Sequence, residues 1–182
     1  MILAILMVVA AGVYRLMPHA SNVAPVAAMA LLGGMYFGRR YALWVPLVVL
    51  AATDLVLNVR MGYPAIYWPR LIDYGAFVAI SALGLWVRNR RIDSKIGAAV
   101  ATPFMFYLVS NFGVWLFGLG LNNQPYAKTF AGLAECYTAG LPFLRGTMIG
   151  DWAFMAVFAV ALVLVRRASS ERVHSLGTEA SA

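Results

Sequence analysis

Charge is the scarcest property of this chain. Only 12% of its 182 residues are charged, seven of them acidic, while 63% are hydrophobic. Soluble domains carry about 25% charged residues, so an ordinary water-soluble fold is excluded. A single cysteine, Cys136, excludes an internal disulfide and any multi-cysteine metal site. The only two histidines, His19 and His174, lie in different terminal regions, which argues against a bis-histidine haem. H-E-x-x-H, G-x-S-x-G and Walker sequences are also missing. The expectation is therefore a protein with no catalytic residues, cofactor or metal site. It holds no ATP-binding element with which to drive transport itself.

Long apolar runs are abundant. They separate at polar or proline-rich punctuation into spans near 2–17, 23–38, 41–58, 70–87, 96–118 and 143–165. The expected fold is an all-α integral membrane protein, a six-transmembrane-helix bundle over residues 1–167. A polar, Ser-rich tail over 168–182 is expected to be disordered. The first 14 residues lack the basic flank and the cleavage site of a signal peptide, so they count as the first span.

The net charge of +7 does not form a nucleic-acid-binding patch. Nine basic residues (Arg39, Arg40, Arg88, Arg90, Arg91, Lys95, Arg166, Arg167 and Arg172) fall on one side of the six-span topology. Five, Arg15, Arg60, Arg70, Lys128 and Arg145, fall on the other. The positive-inside rule makes the first side cytoplasmic, with both termini there. The outer side holds six of the eight prolines, together with Tyr63, Tyr67, Trp68, Tyr126 and Tyr137. Its longest loop, 119–140, is expected to fold as an ordered cap.

Three aspartates interrupt the spans near that outer side: Asp54, Asp73 and Asp151. A carboxylate at a helix centre costs roughly 2.5–3.5 kcal/mol on insertion scales, so such residues have partners or functions. Asn111 lies about two turns below the outer end of span five, and Asn22 precedes span two, where it could cap the helix. Asn22, Asp54, Tyr67, Asp73, Asn111, Cys136 and Asp151 are the candidate substrate-binding residues. The structural alternative pairs Arg70 with Asp73 at i,i+3, Arg60 with Asp54 and Arg145 with Asp151. A lone free cysteine is most often a small buried hydrophobe, and that is the first reading of Cys136. Span two carries Ala30, Gly34 and Gly38 four residues apart, a groove for close helix packing or for a docking protein. Pro46 and Pro103 can kink spans three and five.

Two stretches carry a resemblance to known proteins. Residues 19–34, from His19-Ala-Ser-Asn22-Val-Ala-Pro25 to Gly34, are similar to the corresponding region of energy-coupling factor (ECF) transporter S components. So are Leu141-Pro142-Phe143 and Thr147-Met-Ile-Gly-Asp151. Over nearly all of residues 10–165, including Ser110-Asn-Phe-Gly-Val-Trp115, the chain resembles an uncharacterised family of small bacterial membrane proteins related to S components. The resemblance implies a six-helix substrate-binding subunit with a vitamin-sized site beneath the outer loops. It also implies a membrane coupling subunit and two cytoplasmic ATPases as partners. Some relatives work without that module, among them a cobalamin transporter that binds cobalt through a cysteine, a role open to Cys136. The Ala-x-x-x-Ala docking motif of S components is absent from span one, where Val8 follows Ala4. Met148-Ile-Gly-Asp151 resembles the Gly-x-Gly-Asp of intramembrane aspartyl proteases only in its second half, and Asp73-Tyr74 reverses their Tyr-Asp order.

The function expected is uptake of a vitamin or similar micronutrient, bound at the outer face, with the lipid bilayer, a small-molecule substrate and an ECF-type module as partners. A membrane scaffold or assembly factor is the main alternative, and an enzyme acting on lipid substrates a more distant one.

Overall fold

The computed structural model describes residues 2–18, 23–62, 68–120 and 124–179. Six helices and no strand occur among them: α1 (Ile2–Leu16), α2 (Val26–Tyr36), α3 (Trp44–Met61), α4 (Trp68–Val87), α5 (Ile92–Phe117) and α6 (Phe130–Glu179). Four are long and apolar enough to cross a membrane, over Trp44–Met61, Arg70–Val87, Ile92–Phe117 and Phe130–Val165. At most a third of each span is buried inside the protein, so most of its apolar surface faces outward. Leu6, Val48, Val59, Leu108, Val157 and Leu164 are among the exposed residues. Water does not tolerate a continuous apolar exterior of that size, and a bilayer does. The chain is an all-helical membrane protein.

The span expected at 23–38 contracts to the 11 residues of α2, which rise about 16 Å, half of a hydrocarbon core of about 30 Å. Pro25 stands at its N-terminus, and Phe37 ends it with extended backbone. A helix that is apolar all round is a buried one, and every residue from Ala27 to Met35 is buried. The other five helices surround it. Gly34 makes the closest crossing: a Cβ there would lie 2.1 Å from the Ser81 carbonyl oxygen and 2.7 Å from Gly84 Cα. The groove of Ala30 and Gly34 is thus filled by α4 within the same chain and is closed to an outside protein. Gly38 lies beyond the helix, with open space where its Cβ would be.

Three further expectations change. Residues 130–140 do not belong to an outer loop; they are the first three turns of α6. Thr129 starts that helix, its Oγ1 accepting from Gly132 N at 3.2 Å, as an N-cap does. Pro142 therefore sits inside α6, not ahead of it. Proline removes one backbone bond, which membrane helices tolerate when hydroxyl groups and neighbouring helices serve the freed groups. The carbonyl freed by Pro142 is that of Thr138, whose own hydroxyl donates one turn back, to the Ala134 carbonyl at 2.7 Å. Pro46 is the third residue of α3, in the first turn, where the missing N–H is no loss. Pro103 is inside α5 as expected. The tail expected to be disordered continues α6 as far as Glu179.

The helices alternate in direction. At one end Arg88 donates to the Phe37 carbonyl, tying the C-terminus of α2 to that of α4. At the other end Arg60 donates to the Leu16 carbonyl at 3.1 Å, tying α3 to α1. The second end holds the polar cluster.

Candidate functional site

On α1 the buried residues are Ala4, Val8, Ala11, Gly12 and Arg15, a single stripe at helical spacing that ends in a charge. Its neighbour α3 buries Leu50, Thr53, Asp54 and Asn58. Gly12 lets the two helices approach, because a Cβ there would lie 2.6 Å from Val49 Cγ1. This contact brings Arg15 onto Asp54, with Nη2 to Oδ1 at 2.5 Å. Arg15 Nη1 donates to Thr53 Oγ1 at 2.7 Å and points to the Leu50 carbonyl at 3.4 Å. Asp54 is only 2% exposed. A carboxylate so deep needs a cation, and its cation is Arg15, a residue that spacing within one helix could not single out.

Arg70, at the start of α4, supplies a second cation. Its Nη1 is 3.6 Å from Asp54 Oδ1 and 3.7 Å from Asp73 Oδ2. The i,i+3 pairing of Arg70 with Asp73 is therefore present. Pairing of Asp54 with Arg60 is not. Six residues along a helix turn the side chain about 120° away from the starting face, and Arg60 reaches Leu16 instead.

Arg15, Asp54, Arg70 and Asp73 line one cavity of about 640 Å³ at this end of the bundle. Ala24 and Val26 at the head of α2, Leu57 on α3, Phe106, Ser110 and Val114 on α5, and Phe143 and Thr147 on α6 complete much of its wall. The volume lies within the range of about 300–1,000 Å³ typical of small-molecule sites. Asp54 Oδ2 is buried without a hydrogen-bond partner, while the Tyr74 hydroxyl interacts with the same carboxylate.

The other expected site residues lie elsewhere. Asp151 is fully buried, and its Oδ1 accepts from Ala28 N at 2.9 Å. The first N–H groups of a helix have no partner within it, so Asp151 acts as the cap of α2, supplied from α6. Gly150 permits the approach: a Cβ there would be 3.0 Å from the Val23 carbonyl carbon. Arg145 is exposed and makes no ion pair among the described residues. It is also six residues from its expected partner, on another face of the helix. Asn111 donates to the Tyr107 carbonyl at 2.9 Å and packs on Gly140, where a Cβ would lie 2.3 Å from Asn111 Oδ1. Cys136 is 1% exposed, its Sγ 3.3 Å from the Asn111 carbonyl. Both residues belong to the α5–α6 contact, outside the cavity wall. Tyr126 is buried beside Cys136, and burial raises its phenol above the ordinary range. Tyr137 packs on Tyr107, their ring centroids 5.7 Å apart. Tyr126 and Tyr137 thus brace α5 and α6 and are not among the residues of the cavity wall. Asn22, Tyr67 and His19 lie outside the described residues. No cluster of three or more metal-ligating side chains occurs among the described residues.

The fold and the cluster define a class: a helical membrane protein with a charged cavity at one end of its bundle. The chain belongs to a family of unknown function (DUF6580), whose model matches residues 1–173. No curated protein and no solved structure matches it.

Proposed function

We propose that this protein binds a small polar molecule at the outer face of the bacterial inner membrane and takes part in its uptake. The observation that carries the reading is the 640 Å³ cavity with two arginines and two aspartates in its wall. Charged side chains inside a membrane bundle characteristically face cavities and mark substrate or ion pathways. In this reading the cavity opens outward, the six helices alternate across the bilayer, and the clusters at Arg39-Arg40 and Arg88–Lys95 sit in the cytoplasm with both termini. The resemblance to S components supplies the uptake half of the proposal and a vitamin or comparable micronutrient as cargo. An ECF-type module would be the energy source, although the usual first-helix docking motif is missing.

The test is native mass spectrometry of gently extracted protein, with Ser110→Trp as the control. Tryptophan at this cavity-lining position occupies ligand volume while leaving the four charged residues unsubstituted. A bound small molecule in the wild type that disappears in Ser110→Trp supports binding. Identical ligand-free spectra, together with no uptake of candidate micronutrients into proteoliposomes, would sink it. One observation favours a scaffold instead: Arg15 and Asp54 already satisfy much of each other, as a purely structural frame would. A stable protein partner recovered with no small molecule present would support that second reading.

A further inference from the structure

We propose that the ligand is a net-neutral zwitterion, with a carboxylate and an ammonium close together at one end and an apolar body at the other. This rests on the cavity being a binding site. The wall charges cancel, two guanidinium groups against two carboxylates. A ligand of net charge would leave one of them unmatched in a poorly solvated place.

The cluster is unevenly satisfied. Arg15 is committed to Asp54 and Thr53 at 2.5 and 2.7 Å. Arg70 stands 3.6 and 3.7 Å from its two carboxylates, beyond good hydrogen-bond distance. Its side chain is 34% exposed, so its N–H fork keeps unspent donors facing the cavity. The matching acceptor is Asp73, whose only ion pair among the described residues is that long contact with Arg70. A ligand carboxylate fits a guanidinium fork bidentately. A ligand ammonium, with three donors, fits the Asp73 carboxylate. Donor fork and acceptor lie within one contact of each other, the separation of the two charges in an α-amino acid. Phe106, Val114 and Phe143 also belong to the wall. Those side chains favour a hydrophobic body.

Full-length protein in nanodiscs is titrated with L-alanine, L-leucine, L-phenylalanine and L-tryptophan. Each is matched to its analogue without the ammonium and to its analogue without the carboxylate; for phenylalanine these are 3-phenylpropanoate and 2-phenylethylamine. At least one zwitterion binds, and both of its analogues bind about 10-fold or more weakly, because each lost charge-assisted bond leaves a wall group unpaired. Arg70→Gln weakens the zwitterion more than the amine, and Asp73→Asn weakens it more than the carboxylate. A merely structural role would lower all three together. Failure of every zwitterion to bind overturns the proposal, as does a singly charged analogue binding as tightly as its parent. A copurified, non-zwitterionic molecule that Ser110→Trp displaces overturns this ligand class and leaves the binding function standing.

Discussion

Replacing Arg15 with methionine tests the buried pair at the centre of the cluster. Methionine keeps most of the stem that packs along α3 and removes the charge. Asp54 then stays 2% exposed without its 2.5 Å partner. Removing one partner of a buried ion pair costs about 3–5 kcal/mol. Arg70, already 3.6 Å from the same oxygen, can close part of the gap, so the low end, about 3 kcal/mol, is expected. Thr53 is not orphaned, since its hydroxyl also lies 2.9 Å from the Val49 and Leu50 carbonyls. Asp54→Asn leaves the buried Arg15 charge without its carboxylate, so it too costs on the order of 2–3 kcal/mol, eased because the amide oxygen still accepts from Arg15. The double variant Arg15→Met/Asp54→Leu returns to within about 1 kcal/mol of wild type, as apolar replacements of buried pairs commonly do. The assay is unfolding in mixed micelles followed by tryptophan fluorescence, with Asp54→Leu added as the second single variant so that it, Arg15→Met and the double variant close a mutant cycle. A loss below about 1 kcal/mol for Arg15→Met, or a double variant as unstable as the sum of its parts, would refute the reasoning. The double variant also separates frame from site: if Asp54 serves the ligand, stability is retained and binding is lost.

Gly34→Ala puts a methyl group 2.1 Å from the Ser81 carbonyl oxygen and is expected to destabilise by about 1–3 kcal/mol through overpacking, measured in the same unfolding assay. Asp151→Ala removes the cap of α2 and lowers stability by about 1–2 kcal/mol, whereas Asp151→Asn keeps an acceptor and costs less. Ligand titration of these Asp151 variants shows unchanged affinity, since the residue is not in the cavity wall. Cys136, the sole cysteine, resists maleimide in the folded protein and reacts on unfolding, because it is 1% exposed between α5 and α6. Fast labelling under native conditions would contradict that packing.

Hydropathy made the membrane class legible, since a bilayer imposes long apolar runs whatever the helices pack against. Periodicity did less well where helices were short or interrupted. Pro142 was an obvious breaker, yet α6 runs through it from a start signalled by Thr129 ahead of an alanine-rich run. For α2 no periodicity was available to read, because every face is buried.

The charged residues show why a site is harder to read than a fold. In the sequence the three aspartates looked equivalent, and each had an arginine near it along the chain. Only the pairing at i,i+3 survives, because three residues keep Arg70 and Asp73 on one face while six carry Arg60 and Arg145 off it. The partner of Asp54 comes from 39 residues away. It left one local trace: Arg15 continues the stripe of Ala4, Val8 and Ala11, which places a charge on a face that is otherwise apolar and buried. Asp151 left a different trace, the Gly150 before it, which lets α6 approach the head of α2. A buried carboxylate in a membrane bundle is therefore read better against the stripes of other helices at the same depth than against its chain neighbours. An arginine on such a stripe is its candidate counter-ion, and an exposed helix N-terminus its candidate cap. Asp54 and Asp151 take one solution each, which leaves Asp73 and Arg70, less buried and held only by long contacts, as the pair with hydrogen-bonding capacity to spare for something else.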